Sequence, residues 1–310
     1  MFDLSRLSFL AAVHRHGSVG AAARELGYTS SAVSQQVGKL KREVGMALLE
    51  RVGRGVVLTD AALTLVDAWA SIASTRDAAL GRLDVLAGGM TGLLRVACFP
   101  SAVRGVAAPA LAALSHSAPQ LGLHLTELPP EPALEALTGG QVDVAILHDW
   151  VHDRTSFPAG VQAEHLADDP VDLIVHATHP LSALVSAELS QTVDEVWVTD
   201  VSDGICTRWI MDMLNAATDA PRVHFRAEEY ASQVALVSAG LCLGVLPRLG
   251  RPTLPETVRV VNLTGPVPTR RFMVAYRRTT TRRLAIARLI QELRTQATEG
   301  LSTGAATVLR

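Results

Sequence analysis

The sequence predicts a chain of mixed class: an α-helical winged head, a long linker helix and an α/β body. Three observations carry this. Three short helical periods broken by glycines, then a strand–turn–strand, fill the first sixty residues. A proline-free stretch from 60 to 87 repeats apolar residues every seven positions. From 92 onward, strand-like and helix-like runs alternate almost to the end.

In the head, Leu4, Leu7 and Leu10, with Phe9 and Val13, share one helical face, and Gly17 ends that period. Ser18 is placed to cap a second helix, AAAREL, which stops at Gly27. Thr29 or Ser30 caps a third. Its Val33, Val37, Leu40 and Val44 step by four, three and four, which makes a buried stripe closed by Gly45. Two short helices around the tight turn Gly27-Tyr28-Thr29 read as a helix-turn-helix. Leu48-Leu49-Glu50-Arg51, a glycine-flanked Arg54 and Val56-Val57-Leu58 then read as a β-wing.

Thr59 is placed to cap the long helix. Ala62, Trp69, Arg76 and Leu83 recur by seven, as do Val66, Ala73, Leu80 and Ala87. That is about three heptads of a coiled-coil seam with one polar interruption, read as a dimerisation helix because the small head offers little surface for so long a stripe. Gly88-Gly89 and Gly92 mark a linker. Strand-like runs follow at 93–97, 121–128, 142–147, 171–176, 196–199, 223–225, 241–246, 258–263 and 272–276, with helical runs at 103–114, 133–138, 205–217 and 230–239 between them. Alternation at this spacing predicts largely parallel sheets, as one large sheet or two lobes. The tail EGLSTGAATVLR, rich in Gly, Ser, Thr and Ala, is predicted to be disordered.

Opposite the apolar stripe of the third helix, Ser31, Gln35 and Gly38 fall at i, i+4 and i+7, with Ser34 beside them and Lys39, Lys41 and Arg42 further along. Gln can contact adenine bidentately, Ser can donate or accept, and small residues allow close approach to base edges. Thr29, Ser30 and the helix N-terminus suit phosphate oxygens. Arg51 and Arg54 suit the backbone or minor groove beside the wing. Charge agrees: residues 1–60 hold eight Lys or Arg against five Asp or Glu, a net +3 in a chain of net −2. The predicted partner is double-stranded DNA.

These residues carry a resemblance. The run FLAAVHRHGSVGAAARELGYTSSAVSQQVGKLKREVGMALLERVGRGVVLT resembles the DNA-binding domain of LysR-type transcriptional regulators in Gly17-Ser18, Ala21-Ala22, Leu26, Ser34-Gln35, Leu40, Gly45, Leu48, Glu50-Arg51, Arg54 and Leu58-Thr59, without a gap. It departs at Ala62, where the family usually has Gly, and at Ser31, where Pro is common. GLLRVACF, GGQVDVAIL, HLADDPVDLIVHATHPL and LVSAGLCLGVLP resemble segments of the family's regulatory domain. The resemblance implies a two-lobe α/β domain like the periplasmic binding proteins, with a small-molecule effector in the interlobe cleft. It divides the chain into a head at 1–59, a linker or dimerisation helix at 60–89, and a regulatory domain at 90–297 with a tail at 298–310. Within the regulatory domain lobe I is 92–166 with 268–297, and lobe II is 167–267. It further implies a homodimer or homotetramer on an inverted-repeat operator.

Ligands in such sheets gather at strand carboxyl ends and helix N-termini. Four loops qualify and, by resemblance, line the cleft. They are Pro100-Ser101 after the first strand, His148-Asp149, Asp200 to Gly204 with Thr207 and Arg208 behind, and Arg226 with Glu228-Glu229. The expected effector contacts are Pro100, Ser101, Asp149, Asp203, Thr207 and Glu229. The acids favour an amine or hydroxyls and the helix N-termini a carboxylate, so the expected effector is amino-acid-like or an organic acid.

Other classes fit less well. No GxSxG, Walker loop, GxGxxG after a strand or HExxH is present, so neither an enzyme nor a cofactor site is expected. The ten histidines are scattered, and no metal site is expected. Cys98, Cys206 and Cys242 form no CxxC and are expected to be buried, inert thiols; a thiol-based redox regulator of the same fold is the alternative. A ligand-binding protein without regulation would lack the head. With no long apolar run and no signal-peptide pattern, a cytoplasmic protein off the membrane is expected.

Overall fold

The structure is a computed structural model that describes residues 3–306, except 27, 53, 54, 87, 88, 151–153, 202–204, 218–220, 266, 268 and 282. The head comprises α1 (Ser5–His16), α2 (Val19–Leu26), α3 (Ser30–Val44) and the hairpin β1 (Leu49–Val52) and β2 (Gly55–Leu58). The glycines act as expected: Gly17 and Gly45 end α1 and α3 with φ of 63° and 73°, a region that a side chain would strain. The amide of Ala21 bonds the Ser18 hydroxyl, and that of Ala32 bonds the Thr29 hydroxyl. Leu7, Leu10, Val13, Ala22, Val33, Val37, Leu40 and Leu48 form the head's core.

Helix α4 (Asp60–Leu86) is capped by Thr59. Its apolar stripe is divided between two neighbours in the same chain. Ala62 is fully buried in the head's core, with Val66 and Trp69 packed on it, while Ala73 is buried further along. The head thus covers more of the stripe than its size suggested. Leu80, Leu83 and Ala87 lie outside the described side chains.

The body follows as β3 (Gly92–Cys98), α5 (Pro100–Ala102), a π turn (Val103–Ala107), α6 (Ala108–Ser117), β4 (Leu121–Glu127), α7 (Pro130–Thr138), β5 (Val144–Trp150) and β6 (Val161–His176). Then come β7 (Ser186–Ala187), β8 (Val196–Thr199), α8 (Ile205–Ala217), β9 (Arg222–Arg226), α9 (Tyr230–Ser238), β10 (Gly244–Pro247), β11 (Val258–Leu263), β12 (Thr269–Arg277) and α10 (Leu284–Ala306). The main sheet runs β4-β3-β5-β12-β6-β11-β7, with β10 also on β6; β8 and β9 form a parallel pair tied to Leu243.

The body is both alternatives at once: two lobes, and one sheet that passes through both. Strand β6 pairs with β12 as far as Pro170, then with β10 and β11 from Val171. Lobe I has cores on both sheet faces, around Val96, Ile146, Phe272 and Leu289 and around Ala97, Leu137 and Leu147. Lobe II does likewise, around Leu173, Trp197 and Leu214 and around Ile174, Val234 and Leu246.

Two expectations are corrected. The sheets are mixed: β3, β4 and β5 are parallel, but β12 runs antiparallel to β5 and β6, and β10 and β11 run antiparallel to β6. The chain crosses between the lobes outward on β6 and returns on β12, so those strands must oppose. The tail is helical as far as Ala306, because the stripe Leu289, Leu293, Ala297 and Leu301 continues the contact with the lobe I core past Thr298. Residues 307–310 lie outside the described residues.

Candidate functional sites: a reading face and an interlobe cleft

On α3 the polar face stands clear of the core. Ser30, Ser31, Ser34 and Gln35 are exposed, as are Lys41 and Arg42, and Lys39 is half-buried. Nothing lies within 4 Å of where a Cβ on Gly38 would sit, so bare backbone faces outward there. Thr29 is engaged locally: its hydroxyl caps the helix and lies 2.9 Å from that of Ser31. Arg6 of α1 binds Gln36 at 3.2 Å and also pairs with Glu43. That pair fixes α3 on α1 and neutralises the helix's acid, leaving Lys39, Lys41 and Arg42 as its formal charge. Arg51 lies in β1, in register with Val56. Arg54 lies outside the described residues. The face can present hydrogen-bonding groups to base edges with cations at one end.

The second site lies between the lobes, and the expected residues behave differently there. Asp149 is fully buried and holds Arg271 bidentately, at 2.9 and 2.5 Å, and the amide of Thr155 at 3.0 Å. Ser101 is buried and accepts from Arg270 Nη1 at 3.0 Å. Both are thus engaged within the protein, where the sequence reading had an acid and a free serine at the cleft. Pro100 is exposed, and Glu229 is an exposed residue before α9 whose side chain makes no cap bond. Asp203 lies outside the described residues. Thr207 is buried, and its hydroxyl oxygen has no hydrogen-bond partner.

Three carboxylates, two on the crossing strand β6 and one on β5, are neutralised by arginines. Asp169 binds Arg270 at 2.6 Å and the amides of Arg248 and Leu249 at 2.9 Å. Asp172 binds Arg248 at 2.8 Å and Arg251 at 2.5 Å, and Asp149 binds Arg271. Burial pushes the Asp169 carboxyl above its ordinary value, opposed by Arg270 and the two amides. The Arg270 guanidinium also stacks on Phe99 and Phe272. Burial, and then the charge of Arg270, hold His148 well below its ordinary value, so it is neutral, edge-on to Phe99. Leu249 carries the segment after β10 into the lobe I core, where a Cβ on Gly105 would run into the Gly250 backbone and a Cβ on Gly250 into that of Ser101.

A cavity of about 20 Å³, room for one water, lies where the end of β5 meets lobe II, lined by Trp150 of lobe I and by Val171, Asp200, Ile210, Tyr230, Gln233, Val245 and Pro247 of lobe II. Gln233 is buried; its Nε2 donates to the carbonyl of Ala227 at 2.9 Å, and its Oε1 has no partner. Pro100, Ser101, Asp149 and Glu229 do not wall this cavity, but the immediate neighbours Trp150 and Tyr230 do. The sequence reading missed Trp150, Tyr230 and Gln233. A signal for Gln233 existed: it interrupts the stripe Tyr230, Val234, Val237 of α9, where an apolar residue is the default.

Burial pushes the Cys98 thiol up to about 12 and that of Cys242 to about 11. The side chain of Cys206 lies outside those described. Among the described residues no helix is long and apolar enough to cross a membrane.

Comparison with known proteins fits this layout. Residues 4–63 match the family model for the bacterial regulatory helix-turn-helix protein, lysR family, and residues 87–298 match that for the LysR substrate binding domain. A winged head before a two-lobed α/β domain defines a DNA-binding regulator of transcription. The relatives are regulators too. The chain is 28% identical over 274 residues, 88% of this chain and 90% of the other, to the probable HTH-type transcriptional regulator LrrA of Synechococcus elongatus. It is 29% identical over 305 residues, 92% of each chain, to a probable hydrogen peroxide-inducible genes activator of Mycobacterium leprae. Among solved structures, a full-length OxyR variant from Pseudomonas aeruginosa shares the fold with a TM-score of 0.66 at 22% identity, covering 95% of both chains. The chain belongs to the LysR family of transcriptional regulators.

Proposed function

We propose that this regulator reads an inverted-repeat operator through Ser31, Ser34 and Gln35, with Thr29, Ser30, Lys39, Arg51 and Arg54 on the backbone, and answers to a small molecule in the interlobe cleft. It works in the cytoplasm as a homodimer or a dimer of dimers and catalyses nothing. Its functional units are the head at 1–59, the helix at 60–89 and the regulatory domain from 90 on. The observation that carries the effector reading is the unpartnered Oε1 of buried Gln233 on the cavity wall. A buried acceptor without a donor is costly, and a ligand bearing an amine, amide or hydroxyl relieves that cost. Trp150 and Tyr230 offer flat walls for an apolar part. With Asp149 neutralised by Arg271, carboxylate repulsion in the cleft is weaker than the sequence suggested, so an amino-acid-like or hydroxylated organic acid fits best.

The cavity is too small for such a molecule, so binding shifts the population toward a more open arrangement of the lobes. A thermal-shift panel of amino acids, hydroxy acids and plain aromatics tests this. Stabilisation by the first two that is lost in Gln233→Leu supports the reading. Stabilisation by plain aromatics alone, equal in Gln233→Leu, overturns it. The raised thiols of Cys98 and Cys242 lend no support to a redox mechanism.

A further inference from the structure

The head meets the regulatory domain of its own chain at the turn that follows α7. Arg15, in the last turn of α1, donates to the side chain of Gln141. Its guanidinium lies over Gly139, where a Cβ would meet Nη2 at 2.8 Å and Cζ at 3.1 Å. One residue on, Gly140 has φ of 72° and faces α4: a Cβ there would meet that of Ala73 at 3.0 Å. Ala73 is 2% exposed, midway along a helix whose polar side faces solvent. Helix α4 also packs on the turn Arg278–Thr280. Gly140 and Ala73 therefore let turn and helix meet with nothing larger than a methyl between, and Gly139 leaves room for the Arg15 guanidinium.

The floor beneath this seat is rigid. The amides of Gly139, Gly140 and Gln141 bond back to the carbonyls of Glu135, Leu137 and Ala136. Buried Arg277 grips both flanks of the turn, donating to the carbonyls of Leu137 at 2.6 Å and Val142 at 2.5 Å, and reaches Asp143 at 3.3 Å. Asp143 in turn holds Arg283 at 3.4 Å and the amide of Arg95 at 2.9 Å. Arg277 also ends β12, which leads directly into Arg278–Thr280, so one side chain ties together both halves of the seat. From the turn, β5 runs with every residue buried to Trp150, a wall of the cleft. A fully packed strand moves as a unit, so its two ends are mechanically joined.

We propose that Gly139-Gly140-Gln141 and Arg278–Thr280 of lobe I form a seat for the chain's own reading head and linker helix, through which the cleft and the head sense one another. The second clause rests on the effector reading above; the seat does not. The test uses the full-length protein without DNA. Hydrogen exchange at 138–142 is expected to rise at least fivefold in Ala73→Leu, which wedges the helix off the turn. It should rise severalfold in Arg15→Ala and in Gln141→Ala, with the double variant no worse than either. Unchanged exchange in all three overturns the seat. Gln141→Ala, at a half-buried turn, decides the matter if Ala73→Leu does not fold. In a Cys206→Ser background, Arg15→Cys with Gln141→Cys and a short bis-maleimide is expected to cross-link within one chain; a cross-link between chains, or none, overturns the assignment to the chain's own head. Binding of Gln141→Ala to a duplex carrying a single half-site is expected within twofold of wild type, so failure of the seat and failure of DNA reading give different results.

Discussion

The reading face and the interlobe cleft use similar residue types to opposite ends. On α3, Ser31, Ser34 and Gln35 stand exposed, and the one acid of the helix is neutralised by Arg6. Around the cleft, Ser101, Asp149 and Asp169 are buried and engaged by Arg270 and Arg271. A polar side chain in a sequence has no fixed meaning: at the surface it is an offer to a partner, and inside it is a demand that the fold must satisfy. Among the described residues, Gln233 Oε1 on the cavity wall and Thr207 Oγ1, whose residue does not line that cavity, are buried groups without a hydrogen-bond partner.

That contrast can be broken at several points. The largest effect belongs to the buried pair. Asp169→Ala strands Arg270, 1% exposed, without its carboxylate, and should cost about 3–5 kcal/mol of unfolding free energy in urea titrations. A loss below about 1 kcal/mol would show that the pair is not the structural tie described. On the reading face, Gln35→Ala should leave stability unchanged and reduce discrimination between operator and random duplex by about 1–3 kcal/mol, roughly tenfold to a hundredfold. Equal losses on both duplexes refute base reading. Smaller still, Thr207→Val removes a buried hydroxyl that has no partner. It is expected to raise stability by about 1 kcal/mol while weakening the thermal shift given by the effector. A destabilised Thr207→Val would mean that the hydroxyl is satisfied after all. The smallest effect is none: at pH 8 the thiols of Cys98 and Cys242 lie below their raised values of about 12 and about 11, hence protonated, and mass spectrometry after iodoacetamide treatment of the folded protein should find both unmodified. Alkylation of either at pH 8 contradicts that burial.

How much was legible follows from the same contrast. The head was read almost whole because it is written in local terms: the 3.6-residue stripe of Val33, Val37 and Leu40, the cap at Thr29 and the left-handed glycines at 17 and 45 each concern residues a turn apart. In the body, strand positions were legible but directions were not, since nothing local in VQAEHLADDP says that it pairs antiparallel with β12 a hundred residues later. Around the cleft the sequence singled out Asp149 for its polarity but could not show its partner: successive residues of a strand point to opposite faces, and Trp150 takes the cavity while Asp149 takes Arg271. The tail was misread because its Gly, Ser and Thr lower helix propensity, while Ala297 and Leu301 supply the burial that overrides it.

By itself the sequence determined the winged head, its polar face, the long helix and the alternation that makes an α/β body, because periodicity, caps and glycine conformations act over a few residues. Only the tertiary structure decided which polar groups remain available. It paired Asp149, Asp169 and Asp172 with arginines from 76 to 122 positions away, left Gln233 with an idle oxygen, and set Gly139 and Gly140 beneath Arg15 and Ala73. Charge and hydrogen-bond satisfaction are settled by neighbours in space, and those become neighbours only once the chain has crossed twice between its lobes.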